Sequence, residues 1–369
     1  MALGMVTSVE IKNFRGFAYF RVDDFSPINI IVGDNASGKT ALLESLYLAL
    51  SGNAQQPFLL KQWRGQDIKF QTGSGDSAVE AIYADLFHDS KSSDPILIAS
   101  KGRGFENRQL VISKSRGDVI VPTKSVGNRH QRRAAKKSAF QSPISSQSTT
   151  VPILLTWTDE HGRSHETHAL LSSTGLTFEG TNESLPNCYF FASQATVGAQ
   201  EAAGHFSALR KSRSVEKFRR IFLSVFDHIH DIDLADQGGS SVLVADVSWA
   251  KELLPLPLLS GGTNRAAAIL LALTHREDGL VMVDEIENGI FHARQQKFAT
   301  ALLSLAREYR SQLMMTTHSE EWIENFIEAS GDRIDDITFW RFERRNGGPF
   351  IRKFSLEEYR SGMAAGEMR

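Results

Sequence analysis

The sequence predicts an α/β fold with a mixed central sheet, an antiparallel β lobe and a small helical lobe. Three observations carry this. A short, largely apolar run, "INIIV", passes through a short glycine-containing loop into the helical run "ALLESLYLAL". The last third alternates strand and helix patterns, which builds a parallel sheet covered by helices. Between these ends lie short segments of alternating character, as in antiparallel strands. The 369 residues suffice for one to two domains. Three units are expected: 1–190 with the first loop and the antiparallel lobe, 191–250 as the helical lobe, and 251–369 as the alternating half.

In chain order, "SVEIKNFRGF" alternates and reads as an edge strand. "INIIV" is short and rich in β-branched residues, as a strand buried on both faces should be. Leu42, Leu43, Leu46, Ala49 and Leu50 then form one helical stripe. "QLVISKS", "GDVIVPT", "ILLTWTD" and "SHETHALL" read as strands of the antiparallel lobe. The stretch from about 125 to 150 is rich in Ser, Gln, Lys and Arg and reads as a mobile linker. Val215, Phe218, Phe222 and Phe226 recur at helical spacing and read as core of the helical lobe. "DIDLAD" reads as a loop. Then come "LVMV", "HARQQKFATALLSLAREY", "QLMMTT", "SEEWIENFIEA" and "DITFWRFE", in strand–helix alternation.

Composition narrows the class. A single cysteine, Cys188, excludes a disulfide framework and fits a reducing compartment, so a cytoplasmic protein is expected. No signal peptide and no membrane-spanning run is read. The net charge of −2 hides an asymmetry. Residues 101–140 hold eleven Lys/Arg against Glu106 and Asp118. A basic block on an acidic body points to an anionic partner, and the segment 101–137 is the expected contact for DNA or an acidic protein.

Four motifs carry chemistry. Gly33, Asp34, Asn35, Ala36, Ser37, Gly38, Lys39 and Thr40 satisfy G-x-x-x-x-G-K-[ST] between a strand and a helix. Such a loop turns backbone N–H groups toward phosphate oxygens, and the helix adds its positive end. Lys39 is expected at the β- and γ-phosphates and Thr40 at Mg²⁺. "GLVMVDEIENG" ends an apolar strand in Asp284 and Glu285. Asp284 is expected to hold the metal and Glu285 to activate water. "LLSGGTN" sets Ser260, Gly261 and Gly262 at the head of an apolar helix, a second anion site. "MMTTHS" puts His318 after a buried strand, where it is expected to sense the γ-phosphate. Two phosphate-type sites with one nucleotide loop imply a second copy: the tip of one subunit caps the nucleotide of the other.

These four motifs, in this order, resemble the ABC-type P-loop ATPases, in the branch with RecF, SMC-like and OLD-like proteins. "VEIKNFRGF" is similar to that family's opening strand and "DEIENGIF" to the OLD-like subgroup. The resemblance implies an ABC ATPase head using ATP and Mg²⁺, with catalysis by Lys39, Glu285 and His318. It implies a homodimer, or a higher even-numbered homo-oligomer, closed by an ATP sandwich. It also implies a switch controlling a separate effector, such as a TOPRIM or other nuclease, in bacterial anti-phage defence. Only 51 residues follow His318, too few for a TOPRIM domain. The alternative is a RecF-like DNA-repair clamp. "SGGTN" in place of "SGGQ" disfavours a transporter subunit, and the absence of "NKxD" disfavours a GTPase. Ala36 stands where many relatives have glycine, and Gln62, Gln66 and Gln71 compete for the Gln-loop position.

Overall fold

The structure, a computed structural model, describes residues 5–53, 55–65, 83–90, 93–103, 105–114, 118–120, 148–150, 153–159, 161–172, 175–180, 188–193, 199–275, 277–345 and 348–366. The strands are β1 (Val6–Phe14), β2 (Phe17–Asp23), β3 (Ile28–Gly33), β4 (Ile96–Gly102), β5 (Phe105–Lys114), β6 (Asp118–Ile120), β7 (Ser148–Thr150), β8 (Ile153–Thr158) and β9 (Ser164–Ser172). They continue with β10 (Gly175–Gly180), β11 (Cys188–Phe191), β12 (Ile229–Gln237), β13 (Ser240–Val247), β14 (Leu254–Pro255), β15 (Leu280–Val283), β16 (Gln312–Thr316), β17 (Ile337–Arg345) and β18 (Gly348–Ser355). The helices are α1 (Lys39–Ser51), α2 (Gln56–Trp63), α3 (Ala199–Lys211), α4 (Val215–Val225), α5 (Leu256–Leu259), α6 (Gly261–His275), α7 (His292–Glu308), α8 (Glu320–Ser330) and α9 (Leu356–Ala364).

Two large sheets organise the described residues. One is antiparallel, in the order β10-β9-β8-β5-β4-β1-β2. The other runs β11-β15-β16-β3-β17-β18, parallel except for its last pair. In that sheet β3 lies between β16 and β17, and its residues Ile28–Val32 are all buried, which accounts for the unbroken "INIIV". The helix α1 packs between the two sheets. Every residue it has except Thr40 is buried. Its Leu42, Leu43 and Leu46 join the core containing Ile31, Met282 and Met314, so the phosphate-type loop is mounted on a rigid base. No helix among the described residues is long and apolar enough to cross a membrane.

Several expectations are corrected. β1 is not an edge strand: it pairs with β2 on one side and β4 on the other. Its alternation arises because one face meets the core while the other meets solvent, which happens to interior strands of a one-sided sheet too. "DIDLAD" is not a loop but lies in β12, paired antiparallel with β13. Its carboxylates alternate with Ile232, which is buried, and Arg219 draws in Asp231 and Asp233. The helical lobe is therefore helical only in α3 and α4 and closes with the three-stranded sheet β12-β13-β14. The far end of the expected linker, Ser148–Thr150, is a strand paired with β6. The rest of the linker and most of the basic block fall outside the described residues.

Candidate functional site

The turn from β3 into α1 is built by backbone conformation. Gly33 has φ +135° at a close approach to β17, and a Cβ there would lie 2.4 Å from the Phe342 carbonyl oxygen. Only glycine fits. Ala36, the departure from the expected glycine, takes φ +58°. That left-handed conformation costs about 1–2 kcal/mol for a residue with a Cβ. α1 begins after Gly38 with no side-chain cap and no acid in its first turn. Its leading N–H groups are thus open to an anion.

Side chains converge on the same spot. Thr40 Oγ1 donates to both carboxylate oxygens of Asp284 at 2.9 and 3.0 Å. Thr316 Oγ1 donates to Asp284 Oδ1 at 2.7 Å and accepts the Glu285 N–H at 2.8 Å. Glu285 sits at φ +51°, and its Oε2 accepts from Asn288 Nδ2 at 2.6 Å. Lys39 Nζ donates to the carbonyls of Gly33 and Asp34 at 2.7 and 2.9 Å, leaving one of its three donors for a ligand. Burial pushes the Lys39 ammonium below its ordinary pKa, against the pull of Asp284 and Glu285. Burial likewise raises Asp284, opposed by the bonds from Thr316 and Thr40. Both shifts favour a counter-charge in the site.

Lys39, Thr40, Asp284, Glu285 and Thr316 line a cavity of about 590 Å³ with Asn35, Ser37, Arg15, Phe17, Phe87 and Arg64. Two observations fit it to Mg²⁺ and a nucleotide phosphate chain. The Thr40 hydroxyl and Asp284 carboxylate offer hard oxygen donors at one point. Ser37 Oγ is buried and has no partner among the described residues, as a phosphate-facing hydroxyl would be without its phosphate. The motif residues Arg15 and Gly16 stand on this rim, and Arg15 pairs with buried Glu44 at 2.7 Å. Glu44 also takes a bidentate pair from Arg64, at 2.7 and 2.9 Å. Of the three competing glutamines, Gln62 is exposed on α2 and does not line the cavity, while Gln66 and Gln71 lie outside the described residues. The α2 end brings Arg64 to the cavity instead.

The remaining two motifs stand apart. His318 is half exposed, with Nδ1 3.3 Å from Glu287 Oε1. It borders a second cavity, of about 950 Å³, that shares Asn35 with the first. Ser260 and Gly261 are exposed and line neither cavity. Ser260 Oγ caps α6 by accepting the Thr263 N–H at 2.9 Å. Gly262 packs on the turn after Glu285: a Cβ there would lie 1.8 Å from the Gly289 carbonyl oxygen. Thr316, Asn288, Arg64 and Arg265 were not singled out by the sequence. Thr316 stood inside "MMTTHS", two residues before the histidine that drew attention.

A phosphate loop on a central parallel strand, facing a strand that ends in two carboxylates, defines a P-loop ATPase. The chain belongs to the family described as "AAA domain, putative AbiEii toxin, Type IV TA system", whose model matches residues 28–324. It is similar to an "ATP/GTP phosphatase" of Helicobacter pylori, 23% identical over 334 residues and 87% of each chain. A shorter match, 40% identical over 52 residues and 14% of each chain, is to the "DNA replication and repair protein RecF" of Lachnospira eligens. The fold resembles a crystal structure of an SMC head bound to the C-winged helix domain of ScpA. Its TM-score is 0.52 at 14% identity, over 97% of this chain and 99% of that one. The protein is a P-loop ATPase of that AAA family.

Proposed function

We propose that this ATPase is a switch whose two half-sites are completed between copies. Lys39, Thr40, Asp284 and Glu285 of one copy bind and hydrolyse ATP with Mg²⁺, and Ser260 to Gly262 of a second copy close over the γ-phosphate. The observation carrying this reading is the exposure of the tip outside its own chain's cavity. Exposed apolar side chains, Leu258 at 73% and Phe291 at 59%, flank that tip. A second copy would cover them.

When bound, Mg²⁺ would be held by Thr40 and Asp284 and would neutralise charge on the β- and γ-phosphates. The chain's own residues do the rest. Lys39 and the open N–H groups of α1 orient the triphosphate. Ser37 Oγ donates its proton in a hydrogen bond to a phosphate oxygen. Glu285, held by Asn288, takes a proton from the attacking water. His318 reads the terminal phosphate from the far side of Asn35, with Glu287 holding its ring.

The Glu285→Gln variant tests the exchange of tips. It should bind ATP and elute as a dimer on a sizing column when ATP and Mg²⁺ are present. A variant that remains monomeric with saturating ATP rules the exchange out.

We read the output of the switch as control of a separate effector, a nuclease, in anti-phage defence; the resemblance to OLD-like heads supports this. Affinity capture with and without ATP should return an effector in one nucleotide state only. The RecF match favours a second reading, an ATP-closed clamp on DNA. Duplex binding that weakens steeply with salt would select it.

A further inference from the structure

α6 carries a cation that the reaction described so far does not use. Arg265 lies on the first turn after Gly262 and is only 7% exposed. Its Nη2 donates to the Asp284 carbonyl oxygen at 2.7 Å, and its Nη1 to the Ala192 carbonyl oxygen at 2.6 Å. Longer contacts reach Phe191 and Ser193 at 3.5 Å. The same Phe191 carbonyl accepts the Asp284 N–H at 2.9 Å. The fork therefore spans the ends of β11 and β15, just where both strands leave the sheet.

The environment is unusual for an arginine. Among the described residues it makes no ion pair, and its Nε is buried without a partner. Other arginines of this chain find carboxylates: Arg307 binds Asp336 bidentately, and Arg310 reaches both Glu277 and Asp278. Asp284, Glu285 and Glu287 lie near enough to offset part of its burial, but none forms an ion pair with it, and an apolar residue of similar volume would fill the space more cheaply. What the guanidinium adds is geometry: a rigid planar fork holding two carbonyls at a fixed separation, which a lysine cannot do.

The carbonyl it holds belongs to the peptide joining Asp284 to Glu285. That peptide sets where each carboxylate points. On one side Asp284 reaches Thr40; on the other, Glu285 turns through its positive φ into the Asn288 contact. The Gly262–Gly289 approach ties α6 to the same segment five residues on.

We infer that Arg265 is a positioning residue for ATP hydrolysis, fixing the Asp284–Glu285 peptide from the helix that carries the serine-diglycine tip. It acts through the peptide, not on the nucleotide. The inference rests on the assigned roles of Asp284 and Glu285.

Arg265→Lys tests it, because it keeps the charge and loses the fork. ATP affinity should stay within about twofold, while turnover at saturating ATP falls by about tenfold to a hundredfold. The thermal midpoint should stay within a few degrees of the parent. Wild-type turnover in Arg265→Lys overturns the inference, as does a loss of ATP affinity that matches the loss of turnover. Should the lysine variant fail to fold, Arg265→Gln, which retains a single donor, is measured the same way. Failure of both to fold makes the residue purely structural, and the inference falls. The supporting reading fails separately: a Glu285→Gln variant that keeps wild-type turnover would remove the role of the carboxylates whatever Arg265 does.

Discussion

The phosphate-type loop and the serine-diglycine tip both stand at helix starts, yet the chain treats them differently. Around the loop, Lys39, Asp284 and Thr316 are buried and hydrogen-bonded from within. Thr40 and Thr316 share Asp284, and Lys39 is braced by two loop carbonyls. Around the tip, Ser260 and Gly261 are exposed, and among the described residues the serine hydroxyl is engaged by its own helix through Thr263. On the proposed reading, the first site is preorganised to bind nucleotide alone, and the second needs a ligand from another copy. The contrast separates binding from turnover: damage to the loop should remove both, damage to the tip only turnover.

The largest expected effect breaks the loop side. Lys39→Ala removes a charge-assisted donor from a water-poor site, and ATP affinity should fall by at least about a hundredfold. Isothermal titration measures this directly, and retained tight binding would contradict the assignment. Next, Gly262→Ala sharpens the tip side. The added methyl meets the Gly289 carbonyl oxygen, so the helix start must shift. Turnover should drop about tenfold or more with ATP affinity unchanged. Parallel losses of affinity and turnover would erase the distinction between the two sites. The smallest effect is expected at the link between them. Thr316→Val strips the hydroxyl shared by Asp284 and the Glu285 N–H and leaves that N–H without its acceptor. A loss of about 1–3 kcal/mol in stability is expected, read by denaturant unfolding. An unchanged midpoint would show that this hydroxyl does not hold the carboxylate pair.

Much of the loop side was legible because its signal is contiguous. Gly33 to Thr40 must be close in sequence, since one turn of backbone makes the cradle. Asp284 and Glu285 were legible because an apolar strand announces where it ends. Arg265 was not, because nothing in "GGTNRAAAI" distinguishes a buried arginine from one on a solvated helix face. Arg64 was missed for a related reason: glutamines nearby fitted an expected pattern, while the arginine needed Glu44, twenty residues back, to give it a place. The strand in "DIDLAD" was hidden because its carboxylates depress strand character, and only pairing with β13 and the charge of Arg219 offset this.

By itself the sequence determined the phosphate cradle, the carboxylate strand and the alternating half, since local backbone geometry and hydrophobic period are written in neighbouring residues. Tertiary structure alone decided which side chains share a hydrogen bond across 244 residues, as Thr40 and Asp284 do, and which glycine must yield to a carbonyl from another loop. Those contacts depend on how sheets and helices stack, and stacking is a property of the whole packed chain rather than of any stretch within it.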